Sequence, residues 1–359
     1  MTQTKRTEDI YRAEDLHQFA QGVFENLGLR SADAEILAGH LVWADLRGIT
    51  WLGMRKIPQY GARFRAGGTP PKFESKTVLD TPSVVVVDDR RGCAVVTGHR
   101  LMKTIVEKAR STGICMGLLR NTSISGAMGY YANLAAEQGM IGMVNTDCPP
   151  LVAAPGGATK LIGNNAFAIA SPAGRNPPLL LDMATSAVTL AKLHQIEARG
   201  EKAPEMSVLD AAGKPTTNPT EGLLGTLLPM AGHRGFGLAV MWEIFTGVLA
   251  GGTEFFSGAR MPEPYDKDMN LSFFMLAINP AFVMPYADFQ ARVDRVIDEI
   301  HASPPAPASG LDRIIVPGER SQATAARRQQ EGIPIPQATA ETLAQFGREL
   351  GIAWPFKAA

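Results

Sequence analysis

Residues 44–60 run Ala44-Asp45-Leu46-Arg47-Gly48-Ile49-Thr50-Trp51-Leu52-Gly53-Met54-Arg55-Lys56-Ile57-Pro58-Gln59-Tyr60. Just before them Ile36, Leu37, His40, Leu41 and Ala44 recur at helical spacing behind Ser31, an N-cap residue type, and Gly48 supplies the terminator. Trp51 and Leu52 therefore fall on the loop leaving a helix, with Arg55, Lys56 and Tyr60 just beyond. Loops held by a rigid scaffold are where binding and catalytic groups collect. One helix precedes this one: Leu16, Phe19, Ala20, Val23, Phe24 and Leu27 share a face, and Gly28 follows as a C-cap signal.

Downstream the texture changes to short β-branched runs at 83–88, 114–120, 140–146, 166–171, 179–183 and 273–280, with a helical pattern over 101–111 between the first two. Their irregular spacing predicts an α/β core built on a mixed sheet rather than an all-parallel one. The apolar run 238–249 reads as a further helix. The Pro/Ala/Ser stretch 303–310 reads as a linker, followed by a strand at 313–317 and a helix at 340–350.

Bulk properties exclude several functions. At 359 residues and 45% hydrophobic content the chain has material for two or three lobes. Its 35 basic and 35 acidic residues cancel, which leaves no field to attract nucleic acid or an anionic membrane. Cys93, Cys115 and Cys148 lie far apart without a Cys-x-x-Cys, so neither a disulfide framework nor a zinc site is expected, and a reducing cytoplasm is the expected setting. The polar start lacks an apolar leader core, and the longest apolar stretch, 238–250, carries Glu243; neither export nor a membrane span is expected.

Five further clusters bear chemistry. No Gly-x-Gly-x-x-Gly occurs, which argues against a Rossmann cradle. The run Leu179-Leu180-Leu181-Asp182-Met183-Ala184 closes an apolar strand on a carboxylate, which suits either ribose hydroxyls or the N-cap of a following helix. In Gly232-His233-Arg234-Gly235-Phe236-Gly237, small residues and a cation precede a helix, a pattern that serves as an anion site or as a plain turn. Val316-Pro317-Gly318-Glu319-Arg320 reads by itself as a turn before a helix. Arg120-Asn121-Thr122-Ser123-Ile124-Ser125-Gly126 ends a strand, and Asp147 and Cys148 follow another.

Together these segments resemble the malate/L-lactate dehydrogenase family, whose members include sulfolactate, ureidoglycolate and diketogulonate dehydrogenases and piperideine-2-carboxylate reductases. The resemblance extends from about residue 10 to residue 352. It implies a non-Rossmann α/β fold in which residues 1–78 with 285–359 form a helical substrate and dimerisation lobe and 79–284 form a central mixed-sheet cofactor lobe. It also implies a homodimer, NAD or NADP as cofactor, and a small-molecule substrate. By the resemblance, Asp182, Met183, Ala184, His233, Arg234, Gly318, Glu319 and Arg320 face the cofactor.

At the reacting centre the chain departs from the family pattern. The first segment resembles Arg-Gly-Val-Asp-Ser-His-Gly-Val-x-Arg, but Trp51 and Leu52 stand where the family has the Ser-His pair. Ile124 stands where Arg-Asn-Ser-x-His has its second imidazole. Neither an indole nor an aliphatic group transfers a proton at neutral pH. Trp51, Leu52, Arg55, Lys56, Ile124 and Cys148 are the expected substrate-facing residues, with Tyr60, Asp147 and His233 as candidate proton donors. Of the other histidines, His17 and His40 belong to helices, and His99, His194 and His301 lie outside any site-like loop. Three functions follow: a reductase of cyclic ketimines, which need no proton from the missing histidines; a 2-oxo/2-hydroxy acid dehydrogenase with a relocated relay; and a non-catalytic cofactor-binding homologue.

Overall fold

A computed structural model describes residues 8–252 and 264–355. The polar start, 1–7, lies outside the described residues. Helix Ala13–Asn26 buries Leu16, Phe19, Ala20, Val23 and Phe24 and stops where Gly28 turns to a φ of 96°. Helix Ser31–Leu46 follows, its N-cap position taken by Arg30 rather than Ser31, and Gly48 ends it at a φ of 79°.

The centre is a seven-stranded mixed sheet. Its strands run in the order Lys76–Asp80, Val84–Cys93, Ile114–Ser123, Leu271–Ile278, Ile141–Thr146, Phe167–Ser171 and Leu179–Met183. Only Val84–Cys93 and Ile114–Ser123 pair in parallel, joined by helix Ala94–Thr112; the other neighbours are antiparallel. Alternate residues serve opposite faces, as the two-residue period of a strand requires. Val87, Leu119, Val144, Ala168, Leu180 and Phe273 pack beneath Ala94–Thr112 and helix Met128–Ala136, while Leu118, Phe167, Leu181 and Phe274 meet Trp242 and Phe245. A β-carbon on Gly142 would stand 2.5 Å from the Ala132 carbonyl, so the helix–sheet approach there requires glycine.

Some elements differ from expectation. The helix expected from 238 starts at His233 and passes through a π-helical turn at Ile244–Val248. Residues 313–317 form no strand: their pairing with the sheet edge reduces to Leu180 N–H on the Pro317 carbonyl, 3.1 Å, because the chain turns at Gly318. Of residues 285–359, Ile333, Ile335, Ala340 and Leu343 join the core of the N-terminal helices, whereas Ile297 and Val316 pack with Ala173 and Leu179 at the sheet edge.

Candidate active site

A cleft of about 870 Å³ opens beside strand Leu179–Met183. Its wall combines residues 48–52, Ser125 and Gly126, the strand residues Leu180, Asp182 and Met183, the start of helix Leu190–Ala198, and the turn 315–321. Three helices begin at this cleft, and their ends differ in how they are capped.

Helix Met128–Ala136 is capped by a side chain from across the sheet: Asp182 accepts the Gly129 N–H at 2.9 Å. The carboxylate is open to the cleft but ringed by protein, which pushes its pKa up to about 6. The alternative of Asp182 as a local N-cap is thus corrected, since it lies within a strand and caps a helix more than fifty positions earlier. The second helix, Leu190–Ala198, is capped by the Thr189 hydroxyl, which accepts Lys192 N–H at 3.1 Å. The third, Glu319–Glu331, starts behind Gly318 at a φ of 89°; a β-carbon there would meet Leu180 at 2.9 Å, so glycine lets this helix end press against the strand. Lys192 and Arg320 stand in the first turns of these last two helices, on the cleft wall, and neither forms an ion pair among the described residues. Helix N-termini whose first turns carry cations favour anions.

The sequence candidates divide accordingly. Trp51, Leu52, Asp182, Met183, Ala184, Gly318 and Arg320 share the wall. Arg55 lies over the Trp51 ring at 4.1 Å, and the Lys56 ammonium is 5.3 Å from that ring and donates to Gln59 at 2.7 Å. Ile124 is buried behind Ser125 in the helical core, at a φ of 54° that strains a β-branched residue. Tyr60 is buried in the same core, and burial pushes its phenol pKa up. Asp147 is buried too, accepting Ser272 N–H at 2.8 Å, and its pKa is raised by burial. The Cys148 thiol bonds Asn164 and is pushed up to about 12 by burial. His233 and Arg234 are exposed beyond the wall, in the first turn of helix His233–Glu243, and the chain leading into that helix is tied to the wall by Met230 N–H on the Thr185 carbonyl, 2.9 Å. Glu319 turns away from the cleft and braces its turn, accepting Val316 N–H at 3.0 Å and pairing with His301 at 2.9 Å and with Arg313.

The sequence reading missed Lys192, Thr189 and Asn164. A signal was present: Thr189 directly precedes Leu190, Leu193 and Ile196 at helical spacing. Asp45 was also passed over. Its carboxylate lies beneath the 50–56 loop, accepts Met54 N–H at 2.7 Å, and would stand 2.2 Å from a β-carbon on Gly53. Burial raises its pKa to about 7. The folded protein therefore takes up this proton near pH 7 and the unfolded chain only near pH 4, so unfolding free energy should rise as pH falls between those values. Asp45→Asn should remove on the order of 2–4 kcal/mol of that rise. Denaturant titrations of both proteins at pH 8 and pH 5 check this, and parallel pH dependences would refute it.

Residues 11–344 match the model of the malate/L-lactate dehydrogenase family. The chain belongs to this family. It is 35% identical over 347 residues to a malate dehydrogenase of Pyrococcus abyssi, covering 94% of each chain. The solved sulfolactate dehydrogenase of Methanocaldococcus jannaschii superposes with a TM-score of 0.89 at 32% identity, covering 96% of this chain and 98% of that one. The delta1-piperideine-2-carboxylate reductase of Pseudomonas syringae pvar. tomato gives 0.84 at 25% identity, covering 95% and 100%. This malate/L-lactate dehydrogenase family member is accordingly an oxidoreductase with the family's mixed α/β fold.

Proposed function

We propose that the protein is an NAD(P)H-dependent reductase acting at C2 of small cyclic 2-imino acids. The observation that supports a dinucleotide is the meeting of two helix N-termini on one cleft, each with a first-turn cation, Lys192 or Arg320, that has no ion-pair partner among the described residues. A pyrophosphate matches that arrangement in charge and in its need for backbone N–H donors. Asp182 is suited to a ribose hydroxyl, and Met183 and Ala184 to the flat base beside it. When bound, the nicotinamide supplies a hydride.

The substrate class rests on what the wall lacks. No histidine lines the cleft among the described residues, and Trp51 and Leu52 make its 48–52 side largely apolar. A ketimine protonated in solution needs only the hydride, whereas a ketone also needs a proton at oxygen. Lys192 favours a second reading, 2-oxo acid reduction with its ammonium as the donor. Nucleotide oxidation followed with delta1-piperideine-2-carboxylate and with pyruvate separates the two. Binding of nucleotide without turnover of either would leave the non-catalytic homologue.

We also propose a homodimer. Met241, Ile244, Val248 and Leu249 are 53%, 41%, 50% and 49% exposed along one helix that also buries apolar residues on its other side. A helix apolar all round is normally covered, and an uncharged stripe suits its own copy across a twofold axis. Sedimentation should give twice the 38.4 kDa chain mass. Ile244→Asp with Val248→Asp should return the single-chain mass; a wild-type monomer at micromolar concentration would refute the dimer.

A further inference from the structure

Trp51 reaches across the cleft mouth. Its ring stacks on His194 with centroids 5.7 Å apart and planes 15° from parallel. His194 belongs to helix Leu190–Ala198, which carries Lys192, and it sits 3.7 Å from Glu197 on the same helix. The loop leaves helix Ser31–Leu46, whose Asp45 carbonyl accepts from Arg328 of helix Glu319–Glu331, and a β-carbon on Gly48 would stand 3.5 Å from the Thr324 methyl. The residues from 45 to 51 thus link the two helices whose N-termini bear Lys192 and Arg320.

We propose that His194 is a positioning residue: by stacking on Trp51 it ties helix Leu190–Ala198 to the 48–56 loop and fixes the distance between Lys192 and Arg320. The proposal rests on the nucleotide reading above. Arg55, over the same indole at 4.1 Å, completes the clasp and leaves less of the Trp51 ring free for a substrate. Trp51 thus replaces a family serine with a structural tie, which accounts for an indole at a cleft mouth without giving it a chemical role.

Two readouts test it. In the nucleotide-free protein, with Trp51→Phe as the blank, His194→Ala should alter the emission assigned to Trp51, and His194→Phe should restore it, since a phenyl ring stacks as an imidazole does. Calorimetry should then show NADH or NADPH binding weakened about 3- to 10-fold in His194→Ala and recovered in His194→Phe, with kcat changed less than about 2-fold. Wild-type affinity in His194→Ala, or no recovery in His194→Phe, would overturn the proposal. Failure of the wild type to bind either nucleotide would instead overturn the nucleotide reading, and the tie's role with it.

Discussion

Cyclic imino acids should be turned over with kcat/KM about 10²- to 10⁴-fold above that of pyruvate or oxaloacetate, the range a missing general acid costs. The argument starts at Trp51, Leu52 and Ile124. Trp51 and Leu52 reach the cleft wall, and Ile124 is buried behind Ser125. The other candidate donors are also off the wall: the Tyr60 phenol and the Asp147 carboxyl are buried, with pKa values raised by that burial, and His233 is exposed outside the cleft. Asp182, at about 6, is largely ionised at neutral pH and accepts a backbone N–H. Among the residues of the wall, that leaves the Lys192 ammonium as the group able to protonate a ketone. Pyruvate reduced as fast as the imine, and lost on Lys192→Met while nucleotide still binds, would establish the 2-oxo acid reading in place of the ketimine one.

How legible this was in the sequence depended on whether the deciding contacts were local. Strand Leu179–Met183 has the expected bounds, because an uninterrupted apolar run ending in a carboxylate allows little else. Helix Ala94–Thr112 begins seven residues before the expected 101, since Val95, Val96 and Thr97 read as β-formers until tertiary packing buries them in a helix. The stretch 313–317 erred the other way: Ile314, Ile315 and Val316 suit a strand, yet Pro317 and Gly318 turn the chain before a ladder forms. The cleft joins five segments, so no single motif announces Lys192 beside Arg320. The cations nearest Trp51 were visible, but their use was not, because Arg55 lying on an indole is a tertiary fact.

The grip on the nucleotide gives the second large effect. Lys192→Ala and Arg320→Ala should each weaken NADH or NADPH binding by about 1.5–3 kcal/mol, roughly 10- to 150-fold, the usual worth of a hydrogen bond to a charged group. Both side chains are exposed, so salt should erode the difference, and a titration at 0.5 M salt should shrink it. Their coupling is informative. If each cation holds a separate phosphate oxygen at its own helix end, the double variant should lose the sum of the two; if both converge on one, it should lose less. Arg234→Ala serves as the comparison, because Arg234 lies past Thr185 and outside the wall. An equal loss there would extend the bound nucleotide over the Gly232 turn. Affinity within about 2-fold of wild type in both Lys192→Ala and Arg320→Ala would remove the two cations from the anion site, since the bare helix ends would then hold the ligand without them.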